Sequence, residues 1–284
     1  MRIVLFLLVV LCISGCYEPT PGCLDTRATN FDLDADEACP DCCTFPKLSI
    51  RFDNTWTYPD EMVSLRLDTF YIDANNHPFR IQRIRFYWSD LELQLSNGET
   101  LTITDSLDLS IANGTDTSMI TVRDDYLFAD IDRATRSVTL KTLAPSGELA
   151  SLKATFGIKD PVNKAVTTSV SNSHPLAPKT GQMNLGAATG YIFAKIEYFQ
   201  DTTAIDTVPR IINIYGSDFI RELQLDLPVP TTFIEGFNPV LVIENDISRW
   251  FSGIDVRQTD TTALKNQFVD NLTQSFQLTQ VLAQ

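Results

Sequence analysis

Histidine is scarce in this sequence of 284 residues, which contains only two, His77 and His174. Basic residues are also few: 22 Lys and Arg stand against 36 Asp and Glu, for a formal net charge of −14. Two histidines leave little room for histidine-rich catalysis. The excess of negative charge opposes phosphate backbones and argues against nucleic-acid binding by counterion release.

The common sequence signatures of enzymes are absent as well. The chain has no Gly-x-Ser-x-Gly, no His-Glu-x-x-His, no Walker loop and no Gly-x-Gly-x-x-Gly after a strand. A Ser/His/Asp triad stays open, because its members meet in space, and it would have to use His174 or His77. We therefore predict that the protein is not an enzyme.

The composition, with 44% hydrophobic and 20% charged residues, is that of a folded globular protein. Its first residues are different in character. Arg2 precedes an apolar run at residues 3–13, which is too short for the roughly 20 residues of a membrane-spanning helix. A basic start, a short apolar run and small residues after it are typical of a secretory signal.

The end of this segment, Ile-Ser-Gly-Cys at residues 13–16, resembles the bacterial lipoprotein signal. The resemblance implies cleavage after residue 15 and lipid attachment at Cys16, so that acyl chains hold the protein on a membrane. We expect a location in the cell envelope, lipid-anchored at the outer membrane on its periplasmic or surface face.

Residues 16–46 form a cysteine-rich head. Export to an oxidising compartment predicts that Cys23, Cys39, Cys42 and Cys43 pair with one another. Three pairings are possible, and we favour Cys23 bonded to one of the other three, because a bond between the adjacent Cys42 and Cys43 is strained. The segment from Cys23 to Cys39 is similar to a short cysteine-bracketed module of exported proteins from Bacteroidetes-type bacteria.

Two metal sites are alternatives for this head. Asp32, Asp34 and Asp36 have the alternate spacing with which a calcium loop begins. Glu37 stands where an EF-hand needs glycine, and Cys43 where it needs glutamate, so an EF-hand is rejected and a looser calcium site stays open. A zinc site of four cysteines would need reduced thiolates, which export disfavours.

Residues 47–284 predict an all-β domain, an antiparallel β-sandwich with a C-terminal amphipathic helix. Turn signals recur about every 8 to 12 residues, and apolar residues tend to alternate. The Ser-Asn-Gly-Glu sequence at residues 96–99 predicts a hairpin turn. The predicted strands cover residues 81–93, 101–109, 137–143, 152–158, 190–199, 208–215, 219–227 and 238–243.

Near the end of the chain the apolar period changes to four, which predicts the helix. Leu264, Phe268, Leu272 and Phe276 recur at that spacing, and Asp260 is the predicted N-cap. A further short helical turn is predicted from residue 246 to 251, ended by Gly253. Trp250 within it is interpreted as a core anchor.

Several short motifs in the second half resemble the MbnP-like family. They are Phe-Gly-Ile-Lys-Asp-Pro at 156–161, His-Pro-Leu-Ala-Pro at 174–178, Gly-Gln-Met at 181–183 and Gly-Tyr-Ile-Phe-Ala-Lys-Ile-Glu at 190–197. Ile-Arg-Phe-Tyr-Trp-Ser at 84–89 and Trp-Phe at 250–251 match an earlier and a later strand. The resemblance extends over roughly residues 48–276.

The family is named for an exported copper-binding protein associated with methanobactin systems, so the resemblance implies copper binding. Copper(I) prefers soft ligands, and His174 and Met183 lie nine residues apart on one predicted loop. The resemblance also implies a di-haem partner protein, which oxidises a tryptophan that closely follows the methionine. Here the residues after Met183 are Asn-Leu-Gly-Ala, without that tryptophan.

Two hypotheses follow. In the first, the protein is an anchored lipoprotein that binds copper through His174 and Met183. In the second, it is a noncatalytic binding or assembly lipoprotein whose metal site has decayed and whose loops meet a protein or glycan. The ring of His174 then bonds a nearby backbone carbonyl and fixes a proline-rich turn, Met183 fills the core, and His77 is a solvated loop histidine.

Overall fold

The computed structural model describes residues 18–39, 41–143, 145–200 and 208–284. The predicted signal at residues 1–15 and the predicted lipidation site Cys16 lie outside the described residues. Within the described part of the chain, no helix is both long and apolar enough to cross a membrane.

Two β-sheets carry the main domain. The larger has eight strands in the central order β14-β13-β6-β12-β15, with β5, β7 and β10 also paired to β6. Its strands are β5 (Tyr71–Ile72), β6 (Pro78–Leu95), β7 (Thr100–Thr102), β10 (Leu127–Ile131), β12 (Glu148–Phe156), β13 (Ala194–Phe199), β14 (Arg210–Ile214) and β15 (Arg221–Thr232).

The smaller sheet has five strands in the order β11-β3-β16-β17, with β4 paired to β3. They are β3 (Lys47–Thr57), β4 (Met62–Ser64), β11 (Thr135–Thr142), β16 (Pro239–Asp246) and β17 (Phe276–Ala283). A separate hairpin joins β8 (Ser106–Asn113) to β9 (Asp116–Arg123). The predicted all-β sandwich is confirmed.

One strand pair corrects the predicted antiparallel order. β3 and β16 run parallel, with Ile50 opposite Leu241 and Phe52 opposite Ile243. Alternation of apolar residues indicates that a segment is a strand, but it does not indicate whether the neighbouring strand runs parallel or antiparallel to it. The first strand of the domain, β3, lies between β11 and β16, which both occur much later in the chain. It runs antiparallel to β11 and parallel to β16.

Aromatic side chains fill the space between the sheets. Phe52 of the smaller sheet lies 5.3 Å from Phe86 and 5.2 Å from Trp88 of β6, ring centre to ring centre. Trp250 is fully buried, and its indole N–H donates to Asn245 Oδ1 at 3.0 Å. The interpretation of Trp250 as a core anchor is confirmed. Because Phe86 and Trp88 face this core, Arg85 and Tyr87 face the opposite side of the sheet.

The predicted C-terminal helix exists but is shorter and is not the last element. The four-residue helix α1 (Ile247–Trp250) precedes α2 (Thr261–Leu272). The carboxylate of Asp260 caps α2 by accepting from the backbone N–H groups of Thr262 and Ala263. Phe276, predicted in the helix, is the first residue of β17, where it pairs with Asn245. Its spacing of four from Leu272 also fits a strand that faces the same core.

Other boundaries differ from the prediction in the same way. The strand at residues 81–93 lies inside β6, and the turn at 96–99 is confirmed, with Gly98 at φ 88°. The single strand predicted at 101–109 is wrong, because Asp105 interrupts it and its carboxylate accepts from the backbone N–H of Thr142. The strand predicted at 190–199 begins only at Ala194, and β3, β9, β10 and β17 were not predicted.

The head carries two two-residue strands, β1 (Pro21–Gly22) and β2 (Glu37–Ala38), paired in parallel. Disulfides join Cys23 to Cys43 and Cys39 to Cys42, which confirms that the four cysteines pair. The carbonyl oxygens of Thr26 and Ala28 approach Gly236, where a β-carbon would lie 3.2 Å from each. The head therefore rests on the sandwich.

Candidate functional site

The connection between β12 and β13, residues 157–193, carries both predicted copper ligands. It begins at Gly157, whose N–H donates to the carbonyl of Tyr87 at 3.0 Å and whose φ of 102° favours glycine. Two short 3-10 helices, Val162–Lys164 and Thr167–Ser169, follow. The segment then crosses the face of the larger sheet that points away from the aromatic core.

His174 is buried in this connection, and both of its ring nitrogens have partners. Nε2 lies 2.7 Å from Oδ1 of Asp124, and the backbone N–H of Leu176 donates to Nδ1 at 3.1 Å. Because Nδ1 accepts a hydrogen bond, the proton of a neutral ring sits on Nε2 and points at the carboxylate. Neither nitrogen then offers a free lone pair to a metal.

Asp124 lies between β9 and β10, 50 residues before the histidine. Its other oxygen is 3.2 Å from Nζ of Lys141. Burial of the carboxyl acts to raise its pKa, but the hydrogen bond from His174 and the nearby Lys141 outweigh it and hold the pKa of Asp124 below the usual value. The carboxylate is thus a charged acceptor that orients the imidazole.

Three further hydrogen bonds fix the turn that follows His174. The hydroxyl of Tyr191 donates to Leu176 O at 2.7 Å and that of Tyr87 donates to Pro175 O at 3.3 Å, while the Lys179 ammonium donates to His174 O. Burial raises the pKa of both tyrosines well above the usual value, so both stay protonated donors. The structural interpretation of His174 predicted that its ring bonds a backbone carbonyl, but the ring contacts the Asp124 carboxylate and the Leu176 N–H instead.

Met183 is also buried, as part of the hydrophobic core. Its carbonyl accepts from the N–H of Ile192 at 2.9 Å, and the next residue, Asn184, forms a bridge with Tyr191. Tyr191 therefore connects the two predicted ligand segments, since it contacts the His174 turn through its hydroxyl and the Met183 segment through its backbone. His174 and Met183, as arranged, fit copper poorly, because both ring nitrogens of His174 are already engaged in hydrogen bonds.

A charged layer beneath the connection was not predicted from the sequence. Arg85 is buried, with Nη1 3.0 Å from Glu197 Oε1, and the ammonium of Lys195 donates to the carbonyl of Gly181. Gly181 lies directly on the guanidinium group, where a β-carbon would come within 2.8 Å of Arg85 Nη1. The signal in the sequence was an alternation of charged and apolar residues at 83–86 and 194–197.

The remaining predicted residues lie elsewhere. Asp32 accepts from the N–H of Asp34 at 3.0 Å in a head turn. Across the described parts of the chain, a single group of three metal-ligating side chains converges, and it consists of Asp73, His77 and Asp255. The head aspartates are not in it. His77, predicted to be a solvated loop histidine, is only partly exposed and lies against two carboxylates.

The model of the MbnP family matches residues 46–268. Among solved structures, MbnP from Methylosinus trichosporium aligns with 74% of this chain and 78% of its own at 14% identity and a TM-score of 0.44. Curated protein sequences contain no match.

Proposed function

Because the chain belongs to the MbnP family, whose model spans residues 46–268, we propose that it is an exported, membrane-anchored lipoprotein whose MbnP domain is a noncatalytic binding module. One observation carries this proposal: the Leu176 N–H and the Asp124 carboxylate use both ring nitrogens of His174. The histidine then shapes the connection at residues 157–193, which presents its loops to a protein or glycan partner.

Copper binding by His174 and Met183 is the second candidate, supported by the family and by the connection of both segments to Tyr191. It would require loss of either the Asp124 or the Leu176 hydrogen bond, together with exposure of a buried thioether. The di-haem partner implied by the family depends on a tryptophan, and Asn-Leu-Gly-Ala follows Met183 here. That partnership stays a prediction of the resemblance.

Copper(I) titration separates the two candidates. The purified protein is titrated under reducing conditions against a chelator of micromolar affinity, beside His174→Gln and Met183→Leu. Our proposal expects no copper retained against the chelator in any of the three proteins. One equivalent held by the wild type and lost in both variants would instead establish the copper candidate. Thermal unfolding of each variant verifies that it is folded.

The anchor has its own test. Cys16 follows the Ile-Ser-Gly sequence in the pattern of a lipoprotein signal, so a fatty-acid analogue fed to producing cells should label the wild type. Cys16→Ala should remain unlabelled and leave the membrane fraction, while Cys12→Ala should behave as the wild type. Equal labelling of Cys16→Ala would contradict the anchor.

A further inference from the structure

The second histidine belongs to a rigid turn between β5 and β6. Oδ1 of Asp73 accepts from the backbone N–H groups of Asn75 at 2.9 Å and His77 at 2.7 Å, and the N–H of Asp73 donates to His77 O at 3.0 Å. Asn76 supplies the positive φ, 64°, that closes the turn. The imidazole is thereby held beside the carboxylate of Asp73.

A second carboxylate, that of Asp255, comes from a distant part of the chain and also lies beside His77. The N–H of Val256 donates to Oδ2 of Asp73 at 2.9 Å, and the carbonyl of Val256 accepts from Tyr198 Oη at 3.2 Å and Arg210 Nη1 at 2.9 Å. These bonds hold Asp255, the preceding residue, over the turn. Three potential ligands, separated by up to 182 positions in sequence, are therefore placed together by fixed backbone.

The distances between these groups suit a metal ion. Nδ1 of His77 lies 3.1 Å from Asp73 Oδ2 and 3.3 Å from Asp255 Oδ1, and the three ligand atoms are all within 4.8 Å of one another. A single N–H on Nδ1 points well at only one of two oxygens. Ligands bound to one zinc ion at about 2.0–2.1 Å lie roughly 3.3 Å apart in a tetrahedral site.

The surroundings leave room for a fourth ligand. The side chain of Asp73 is fully buried, whereas those of His77 and Asp255 are partly exposed, so that water can approach these two ligands. One imidazole and two carboxylates form a mixed nitrogen and oxygen set that suits Zn²⁺ and related divalent ions better than copper(I).

We propose that Asp73, His77 and Asp255 bind one divalent transition-metal ion, with Zn²⁺ as the best match, and that water fills the open position. His77 binds through Nδ1 and keeps its proton on Nε2. The site uses neither His174 nor Met183. We expect an affinity in the micromolar range.

Cobalt(II) is the probe, because it occupies zinc sites and its visible absorption reports the ligand geometry. The purified full-length protein is treated with EDTA, desalted and titrated with Co²⁺. We expect one equivalent to give visible absorption bands that Zn²⁺ abolishes. The bands should be lost in His77→Gln and in Asp255→Asn, but retained in the matched control His174→Gln. Asp73 is left unchanged, because its carboxylate also holds three backbone N–H groups.

Thermal unfolding with and without Zn²⁺ gives a second measurement. Zn²⁺ should raise the Tm of the wild type and of His174→Gln but not that of Asp255→Asn, since an ion that binds only the folded state stabilises it. Failure of the wild type to bind Co²⁺ at micromolar concentration would overturn the proposal. So would bands that persist in both His77→Gln and Asp255→Asn, or bands that disappear with His174→Gln. None of these outcomes depends on copper binding.

Discussion

Nε2 of His174 lies 2.7 Å from Oδ1 of Asp124, and this contact joins two loops that are 50 residues apart. The carboxylate also contacts Lys141, and the imidazole also accepts the N–H of Leu176. The pair therefore connects the β9–β10 loop to the connection at residues 157–193. Its buried position makes it a structural contact that should be measurable in the free energy of unfolding.

A double-mutant cycle measures this pair. His174→Gln should lower the free energy of unfolding by about 1–3 kcal/mol, because it leaves a buried charged acceptor and the Leu176 N–H poorly satisfied. Asp124→Asn should cost a similar amount, and the coupling between the two changes should be about 1–2 kcal/mol. Urea unfolding gives the values. The control Ser173→Ala, at an exposed neighbour, should stay within about 0.5 kcal/mol; additive effects would contradict the coupling.

Gly181 and Gly186 form a matched pair for testing the contact with the charged layer. Both have φ near 90°, but a β-carbon at Gly181 would meet the guanidinium of Arg85 at 2.8 Å, whereas one at Gly186 would meet nothing within 4 Å. Each alanine substitution carries a backbone cost of about 1–3 kcal/mol. Gly181→Ala should cost measurably more in thermal unfolding, because Arg85 is held by Glu197. Equal Tm losses would show that the guanidinium moves freely.

Asp125 predicts a pH dependence of stability. Burial raises the pKa of its carboxyl, although Arg123 Nε lies 2.6 Å away and acts in the opposite direction. A carboxyl with a raised pKa stabilises the fold most when protonated, so its contribution is present at low pH and is lost as pH rises through the folded-state pKa.

The substitution Asp125→Asn removes this dependence. Relative to the wild type, the variant should gain stability as pH rises from about 4 to about 7. Over this range the Asp125 carboxyl of the wild type becomes a buried charge, which lowers its free energy of unfolding, whereas asparagine stays neutral. Urea unfolding at several pH values provides the comparison, and Asp116→Asn, at the exposed first residue of β9, is the control. If the variant instead loses stability with rising pH, the ion pair with Arg123 outweighs burial.

The two disulfides should contribute unequally to stability. Cys23–Cys43 closes a loop of 20 positions and Cys39–Cys42 one of three. In the chain-entropy model the longer loop destabilises the unfolded chain by about 3 kcal/mol and the shorter loop by about 1.5 kcal/mol. Replacing Cys23 and Cys43 by serine should therefore destabilise the head more than replacing Cys39 and Cys42, measured as the rate of proteolysis of residues 18–46. Peptide mapping without reductant should first recover both pairs, and a Cys23–Cys39 peptide would contradict the pairing.

Local pattern was sufficient for several elements. Alternation and aromatic residues located the central strand β6, the Asn-Gly turn located its hairpin, and Asp260 before an apolar period of four located α2. Each of these depends on interactions within a few residues, which a sequence displays directly. The family motifs at residues 156–197 were visible for the same reason.

Neighbours distant in sequence were decided only by the tertiary structure. Periodicity did not reveal that β3 lies parallel to β16, nor that Phe276 begins a strand that closes the smaller sheet. The partners of the two histidines are also distant: Asp124 for His174, and Asp255 for His77. Sequence by itself determined the class of the fold, its strand-rich pattern and the scarcity of histidine. The packing of the sheets decided what each histidine contacts. The loop of each histidine reaches its distant carboxylate, Asp124 or Asp255, only when distant strands are brought into register.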